Sequence, residues 1–257
     1  MVILFLLFLV GCTTPPPIVI EEPIPIEKEV PLDSIRNLAG ESFCAKRSWK
    51  DRGVASRGYF EGMALVYARA VCKGGSIPLG SSSVDALAHY GLKPEDLLTS
   101  TYTFLIGLGL RESTGRHCCG RDGAATNVSG ESAEAGLFQT SYDSRIRGGK
   151  QDPTLMGIYE KYKASNKGCL LDVFAQKVTC SAANWKNWGT GEGVTFQKLS
   201  KDCPAFAAEY AAVMIRTGRS HYGPINKKEV EYRGECESML FSVKKMIAQN
   251  PDLCGSL

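Results

Sequence analysis

Cysteine content and an apolar N-terminus together constrain the fold of this chain more than any other feature. The 257 residues include ten cysteines, and residues 1–10 form an almost purely hydrocarbon run. A run of this length is too short to span a bilayer but suits the core of an export signal. Cysteines of an exported protein usually form disulfides rather than metal sites. The sequence therefore predicts a disulfide-stapled domain.

The segment after the apolar run predicts a lipid anchor and a tether. Leu9-Val10-Gly11-Cys12 has the form of a bacterial lipobox, in which Cys12 is acylated and becomes the first mature residue. Prolines and glutamates crowd the stretch after Cys12, and proline favours an extended, semi-rigid chain. We expect attachment to the bacterial cell envelope, at the outer membrane facing the periplasm in a Gram-negative source. The predicted parts are a signal peptide (1–11), a lipid anchor and Pro/Glu-rich tether (12–33) and a folded domain (34–257).

Nine cysteines remain once Cys12 is assigned to the lipid, so at least one is unpaired within the chain. Up to four bridges are expected, each stabilising the fold by about 2–4 kcal/mol. A zinc site would use His117, Cys118 and Cys119, but adjacent cysteines lack the two-residue spacing that lets both reach one tetrahedral ion. We therefore predict no metal, and expect these cysteines to staple the long segment that carries them.

Size and charge limit the functional class. Without signal and tether, about 225 residues remain, enough for one domain with a substantial core. The formal net charge of +3 is too small for a typical nucleic-acid binder, so no nucleic-acid partner is expected. A mild positive balance is compatible with a polyanionic cell wall. No cofactor is predicted.

Apolar spacing predicts a mostly α-helical domain. No alternating run is long enough for a major sheet, although a small β element near Gly136 fits the pattern. Residues 115–133 are rich in glycine and polar residues and predict a loop. Helices are predicted over residues 58–72, in a short segment capped by Ser83, from Pro94 to Glu112, over 155–162 and 171–178, from Pro204 onward, and over 235–249.

Glu112 is the leading candidate for a catalytic residue. The apolar run from Phe104 to Leu110 leads almost directly into Glu112, which predicts a carboxyl where a buried helix reaches a cleft. A carboxyl held against apolar walls has a raised pKa, so it can donate a proton near neutral pH. A lone Glu-Ser pair is usually an ordinary helix end, so the assignment depends on the blocks that follow it.

Two further blocks follow Glu112-Ser113: Gly136-Leu137-Phe138-Gln139 and Asn187-Trp188-Gly189-Thr190-Gly191. In order and spacing the three blocks resemble the lysozyme superfamily, specifically the goose-type lysozymes and soluble lytic transglycosylases. That family has a Glu-Ser at the end of a core helix, then Gly-Leu-Met-Gln, then Ala-Tyr-Asn-x-Gly-x-Gly. The resemblance covers roughly residues 100–195. It implies a lysozyme-like (transglycosylase) single domain that cleaves peptidoglycan glycan strands.

The resemblance also implies roles for individual residues. Glu112 would be the general acid, and Ser113 and Gln139 would hydrogen-bond that acid or the N-acetyl sugars. The other predicted substrate-binding residues are Leu137 and Phe138 as an apolar wall, Asn187 from the third block, and Tyr222 along the sugar cleft.

The chain departs from the family pattern at two positions. Phe138 replaces the family's methionine, and Lys186 stands where the family has its aromatic residue. Tyr142 and Tyr222 are both candidates to replace that aromatic residue, and the sequence does not choose between them.

The sequence leaves the reaction open between several outcomes. A lytic transglycosylase needs one carboxylate, because the sugar's own 6-hydroxyl is the nucleophile. An inverting muramidase needs a second carboxylate to activate water. Glu134, just before the second block, is the leading candidate for that role over Asp122 and Glu131. The transglycosylase is the first prediction. Alternatives are a chitinase-like hydrolase, a non-catalytic cell-wall-binding lipoprotein and a disulfide-rich structural protein.

Overall fold

The described part of the chain is mostly helical, and a long irregular segment lies between residues 114 and 141. The structure is a computed structural model that describes residues 32–75, 85–123, 125–147, 149–217 and 223–257. It is mostly helical, which confirms the predicted secondary-structure class. The α-helices are α1 (Leu32–Gly40), α2 (Phe43–Lys46), α3 (Arg57–Cys72), α4 (Ala86–His89), α5 (Leu97–Ser113), α6 (Pro153–Ala164), α7 (Leu171–Phe174), α8 (Ala182–Trp185), α9 (Glu192–Asp202), α10 (Pro204–Thr217), α11 (Gly234–Gln249) and α12 (Leu253–Ser256).

Two short strands, β1 (Ile146–Arg147) and β2 (Lys150–Gln151), form an antiparallel hairpin in which Ile146 pairs with Gln151. An isolated bridge joins Ala135 to Thr140 and encloses the second sequence block. The small β element predicted near Gly136 is therefore present, as a single bridge.

Helix α5 lies at the centre of the main apolar cluster. It contacts α3, α10 and α11, and nearly all of its residues are buried. A helix that is apolar all round is typical of such a position, because every face must pack against protein. Asp96 accepts a hydrogen bond from the Thr99 amide at 3.0 Å. Asp96 is thus the N-cap, so the predicted start at Pro94 is wrong by three residues.

The remaining helix predictions differ from the structure mainly at their ends. Helices α3, α6, α10 and α11 lie where the apolar spacing predicts them. Helix α7 is shorter than predicted, because the chain turns after Phe174 and Lys177 adopts a left-handed φ of 56°. Helix α1 begins two residues inside the predicted tether and buries Ile35. Ser83, the predicted cap, lies outside the described residues, whereas Asp85 caps α4 by accepting from the Leu87 amide at 2.9 Å.

A second buried cluster is mainly aromatic and joins α6, α9 and α10. Its rings meet edge-on or tilted, as aromatic quadrupoles favour. Phe196 and Tyr210, for example, have centroids 5.2 Å apart at 70°. One face of α9 packs in this cluster, and α9 also contacts the long irregular segment at Gly136. The large rings of the cluster belong to Tyr142, Tyr159, Tyr162, Phe196, Phe206 and Tyr210.

Four disulfides link distant parts of the chain, the most that nine cysteines allow. Cys119 is the unpaired cysteine. Two of the bridges tie α11 and α12 back to the N-terminal helices, so they close very long loops and strongly restrict the unfolded chain. The four bridges are Cys44–Cys236, Cys72–Cys254, Cys118–Cys180 and Cys169–Cys203.

The predicted lipidation site Cys12, the signal segment and most of the tether lie outside the described residues. Among the helices that the structure describes, none combines the length and the apolarity needed to cross a bilayer.

Candidate active site

Glu112 occupies the last turn of α5, where the buried helix ends. Thr114 adopts a left-handed φ of 57° and terminates the helix, while the Gly115 amide donates to the Gly109 carbonyl at 3.2 Å. The Thr114 amide also donates to the Leu110 carbonyl at 2.9 Å, which is the bond of a left-handed helix cap. The helix therefore ends at Ser113, one residue beyond the predicted end at Glu112.

Tyr59 of α3 packs against the last turns of α5 and against Gly115. Its hydroxyl donates to the Ile106 carbonyl at 2.8 Å. A Cβ placed on Gly115 would lie 2.9 Å from Cγ of the Tyr59 ring, and Gly115 has a φ of +72°. Glycine is thus required at position 115 both by the ring and by the backbone conformation.

The second sequence block forms a tight turn against the same helix end. Gly136 has a φ of +79°, and a Cβ on it would lie 2.5 Å from the Ser200 carbonyl oxygen of α9. Phe138 inserts beside α5, because a Cβ on Gly109 would lie 3.0 Å from Cε1 of its ring. Gly109 is one turn before Glu112. The packing of Phe138 therefore brings the second block to the acid.

A chain of hydrogen bonds joins the first block to the second. The Gly136 amide donates to the Cys119 carbonyl at 2.8 Å, and the Cys119 thiol lies 3.7 Å from the Ser113 carbonyl. Gln139, at a left-handed φ of 46°, donates from Nε2 to the Gly136 carbonyl at 3.0 Å. Its side chain thus stabilises its own turn.

The long segment that carries Cys118 and Cys119 is fastened to the chain before the third block. The Cys118–Cys180 disulfide provides the covalent link. Beside it, the buried His117 ring donates from Nδ1 to the Lys201 carbonyl at 2.8 Å. Burial lowers the pKa of His117, so the imidazole favours its neutral form.

Lys201 holds the chain just before the third block through a buried ammonium group. Its Nζ donates to the carbonyls of Asn184, Trp185 and Lys186 at 3.1–3.2 Å. These carbonyls lie at the carboxyl end of α8, where helix carbonyls lack partners. Burial lowers the pKa of Lys201 to about 8.

The third block docks onto the long segment backbone to backbone. A Cβ on Gly189 would lie 2.0 Å from the Gly130 amide nitrogen, and one on Gly193 would lie 2.0 Å from the Gly130 carbonyl oxygen. Gln197 of α9 bridges the two segments, because its Nε2 donates to the carbonyls of Gly130 and Trp188 at 3.0 Å. Gly189 of the third block and Gly193 of α9 therefore allow the close approach to Gly130, whereas Gly191 has no neighbour within 4 Å of an added Cβ.

Trp188 of the third block carries two cations on its ring. The Arg121 guanidinium carbon lies 4.2 Å from the ring centroid and Lys186 Nζ lies 3.9 Å from it. Lys186 is exposed. Asn187 is half-buried, and its Oδ1 is buried with no hydrogen-bond partner among the described residues.

The electrostatic environment keeps Glu112 protonated at neutral pH. Burial, the largest cause, and the nearby Glu134 carboxylate together raise its pKa from 4.5 to about 8. Arg111 and Arg52 act in the opposite direction. Arg111 is engaged elsewhere, since its Nη2 pairs with Glu229 at 2.8 Å, and Arg52 donates from Nη2 to the Arg111 carbonyl at 2.7 Å. No hydrogen bond or ion pair of Glu112 is found in the described part of the chain.

Glu134 is the carboxylate that acts most strongly on Glu112. It is half-buried, directly before the Gly136–Gln139 turn. Burial, the largest cause, raises its own pKa despite a hydrogen bond from Asn127, and the carboxylates of Asp143 and Asp122 add to the rise. The structure thus brings together Glu112 and the predicted second carboxylate.

The other predicted substrate-binding residues divide into three groups. Ser113 is buried and donates from Oγ to the Gly109 carbonyl at 2.9 Å, so its hydroxyl closes the helix instead of facing a ligand. Leu137 and Phe138 are buried in the main core, where they support the site rather than line an open wall. Gln139 and Asn187 are half-buried and lie on the two docked loops.

The two tyrosines considered as replacements for the family's aromatic residue have different outcomes. Tyr142 is buried in the aromatic cluster, 5.4 Å from Tyr159 between ring centroids. Tyr222 lies outside the described residues.

The residues that sequence reasoning missed are polar groups that hold the loops together. Lys201 and Gln197 are buried on α9, and Arg52 donates to the end of α5. Apolar periodicity carries no signal for such groups. The glycine density of the third block was the available clue, since closely packed backbones require glycine.

His117, Cys118 and Cys180 are the described residues whose grouping could hold a metal ion, with ligand atoms within 4.8 Å of one another. The two cysteines are joined in a disulfide, which leaves His117 alone with a metal-binding lone pair. In this oxidised state the group does not fit a zinc ion.

Comparison with known proteins returned no matching family model, no matching curated protein and no matching solved structure.

Proposed function

We propose that this protein is a peptidoglycan-cleaving enzyme in which Glu112 protonates the leaving oxygen of the β-1,4 bond between N-acetylmuramic acid and N-acetylglucosamine. The pKa of Glu112 carries the proposal. A carboxyl with a pKa of about 8 is still protonated at neutral pH and can act as a general acid.

The arrangement around Glu112 supports the assignment to the lysozyme-like family. The turn Gly136–Gln139 packs beside the helix end that carries Glu112, and the third block docks on the segment between them. Those contacts join the three sequence blocks of the family into one side of the molecule.

A lytic transglycosylase is the first candidate reaction. Glu112 donates its proton to the departing glycosidic oxygen as the bond to the anomeric carbon breaks. The ionised Glu112 then removes the proton from the 6-hydroxyl of the same sugar, whose oxygen bonds to the anomeric carbon. The product is a 1,6-anhydro sugar, and the carboxyl returns to its protonated form. One carboxylate suffices because the intramolecular nucleophile has a high effective molarity.

An inverting muramidase is the second candidate, and the position of Glu134 favours it. Glu134 raises the pKa of Glu112, and inverting glycosidases use two carboxylates, one as acid and one as base. Glu134 would remove a proton from water as that water attacks the anomeric carbon. A chitinase-like specificity and a non-catalytic wall-binding role correspond to other outcomes of the experiment below.

We further propose that the enzyme is a lipoprotein of the bacterial envelope, anchored through Cys12, whose partners are glycan strands. The export signal and the four disulfides agree in pointing to an oxidising compartment. Labelling with a fatty-acid analogue in the wild type and in Cys12→Ala tests the anchor.

The decisive experiment is mass analysis of the soluble muropeptides released from purified peptidoglycan. We expect anhydro ends from the wild type and a fall of about 10²- to 10⁴-fold in their release by Glu112→Gln. Glu41→Gln is the matched control, because Glu41 is an exposed surface glutamate near α1.

The products separate the candidates. Reducing ends, abolished by Glu134→Gln, would replace the transglycosylase with the muramidase. Release of products from chitin oligomers but not from peptidoglycan would establish the chitinase-like alternative. Undiminished activity in Glu112→Gln would overturn the proposal itself.

A further inference from the structure

A basic pocket of about 380 Å³ lies where the ends of α3, α6 and the chain meet. It shares no residue with the cluster around Glu112. Its floor includes the Cys72–Cys254 disulfide, so its walls are covalently linked. The charged residues that line it are Arg69, Lys73, Lys161, Lys167 and Glu209.

Glu209 is the carboxylate that the pocket's cations share. Its Oε1 lies 3.4 Å from Lys73 Nζ, and its Oε2 lies 3.3 Å from Lys161 Nζ. The shorter bond to Glu209 comes from the Tyr162 hydroxyl, at 2.7 Å. Each ammonium group has three donors, so both lysines keep donors for another acceptor.

The remaining cations differ in how far they are already engaged. Arg69 donates to the carbonyl oxygens of Gly168 and Leu257, which occupies much of its guanidinium. Lys167 pairs with no carboxylate among the residues that the structure describes, and it lies in the loop after α6. Lys73, Lys161 and Lys167 therefore line the pocket, where Glu209 is the acidic side chain among the described lining residues.

The surroundings of Lys161 favour the neutral form of its amine. Burial lowers the pKa of Lys161, and the neighbouring Lys73 lowers it further, against the effect of Glu209. Lys73 and Lys161 lie at the carboxyl ends of α3 and α6, where a cation offsets the helix dipole. Four cationic side chains and one acidic side chain line the pocket, so its lining side chains carry a surplus of positive charge.

We propose that this pocket binds a phosphate group. Lysine ammonium groups bind phosphate as point charges, whereas a bidentate contact to a carboxylate or a phosphate needs a free arginine fork. The fork of Arg69 is already used by main-chain oxygens. The volume accommodates a phosphate together with a small substituent such as a glycerol or a sugar. In a cell envelope the group could belong to a lipid headgroup or to a free phosphomonoester.

Titration calorimetry on the folded, disulfide-intact domain at constant ionic strength tests the site. The probes are inorganic phosphate, glycerol 3-phosphate and succinate, with vesicles of phosphatidylcholine alone or mixed with phosphatidylglycerol. The site variants are Lys161→Gln and Lys167→Gln. The matched control is Lys163→Gln, which lies on the same helix but pairs with Glu192 at 2.8 Å.

We expect both soluble phosphates to bind and succinate not to bind. Lys161→Gln and Lys167→Gln should each weaken phosphate binding about fivefold to tenfold, and Lys163→Gln should not change it. Competition between glycerol 3-phosphate and the anionic vesicles would identify a lipid headgroup as the source, and lack of competition a soluble phosphate. Equal binding of succinate, equal effects of all three variants, or binding of vesicles alone would each overturn the proposal.

Discussion

Glu112 and Glu209 are both largely enclosed by protein, yet their ionisation is shifted in opposite directions. Burial alone raises the pKa of each carboxyl. For Glu209 the hydrogen bond from Tyr162 and the charges of Lys161 and Lys73 outweigh burial, so its pKa is lowered. For Glu112 no such donor contacts the carboxyl, and Glu134 adds to the effect of burial. Direct donors, rather than depth, decide which carboxyl stays protonated.

The contacts of the arginines near Glu112 help to explain why its pKa is raised while that of Glu209 is lowered. Arg111 is the residue beside Glu112 in the chain, but its guanidinium pairs with Glu229 and lies 3.7 Å from Asp51. A cation close enough to ionise Glu112 is therefore held by other carboxylates. We infer that the Arg111–Glu229 pair preserves the protonated state on which the proposed acid role depends.

The largest predicted effect is a pH-dependent difference in the free energy of unfolding between Glu112→Gln and the wild type. The folded-state pKa of Glu112 is raised, so its contribution is fully present below pH 4.5 and is lost as pH rises through about 8. Glu112→Gln should therefore be more stable than the wild type at pH 9, by about 3–5 kcal/mol, with no such gain at pH 4. Urea unfolding at both pH values measures the difference.

Glu209→Gln should change the free energy of unfolding in the opposite direction in the same experiment. Because the folded-state pKa of Glu209 is lowered, its contribution is present above pH 4.5 and is lost as pH falls through the folded-state value. The variant should lose about 2 kcal/mol of unfolding free energy at pH 7, and less in acid. Changes of the same sign in the two variants would refute the comparison.

The next effect concerns the disulfide that holds the long segment over Glu112. Replacing both Cys118 and Cys180 with serine should lower the free energy of unfolding by about 2–4 kcal/mol. It should also lower the pKa of Glu112, because a loosened segment admits water. Thermal unfolding and the alkaline limb of the activity profile report the two effects. Cys119→Ser is the control, since Cys119 is unpaired and should leave the melting temperature within a degree or two.

The smallest predicted effect comes from Glu134. Its charge is second to burial among the causes that raise the pKa of Glu112. Glu134→Gln should therefore lower that pKa by less than about one pH unit, equivalent to less than about 1.4 kcal/mol. Carbon-13 NMR of the labelled carboxyl measures the pKa independently of activity. An unchanged pKa would mean that the two carboxylates do not interact.

The main helices could be predicted because their apolar spacing is regular. The run from Phe104 to Leu110 predicted α5, and Met239, Leu240 and Val243 marked α11. Helix α9 was missed because several of its buried positions are polar, among them Gln197, Ser200 and Lys201. A buried polar residue looks like a surface residue in any hydropathy pattern.

The candidate site could be predicted only in part. The sequence singled out Glu112 and Glu134 as candidates because both stand beside recognisable blocks, and Glu134 is the carboxylate that acts most strongly on the pKa of Glu112. It misjudged Ser113, Leu137 and Phe138, since a family motif gives the residue types around a site and not the direction of each side chain. Those three side chains point into the protein and hold the helix end and the turn in place.

The contact among Gly130, Gly189 and Gly193 has a consequence for sequence variation. A Cβ added at any of these three positions would lie within 2.3 Å of a main-chain atom. Even an alanine there would have to push the long segment away from the third block and from the start of α9.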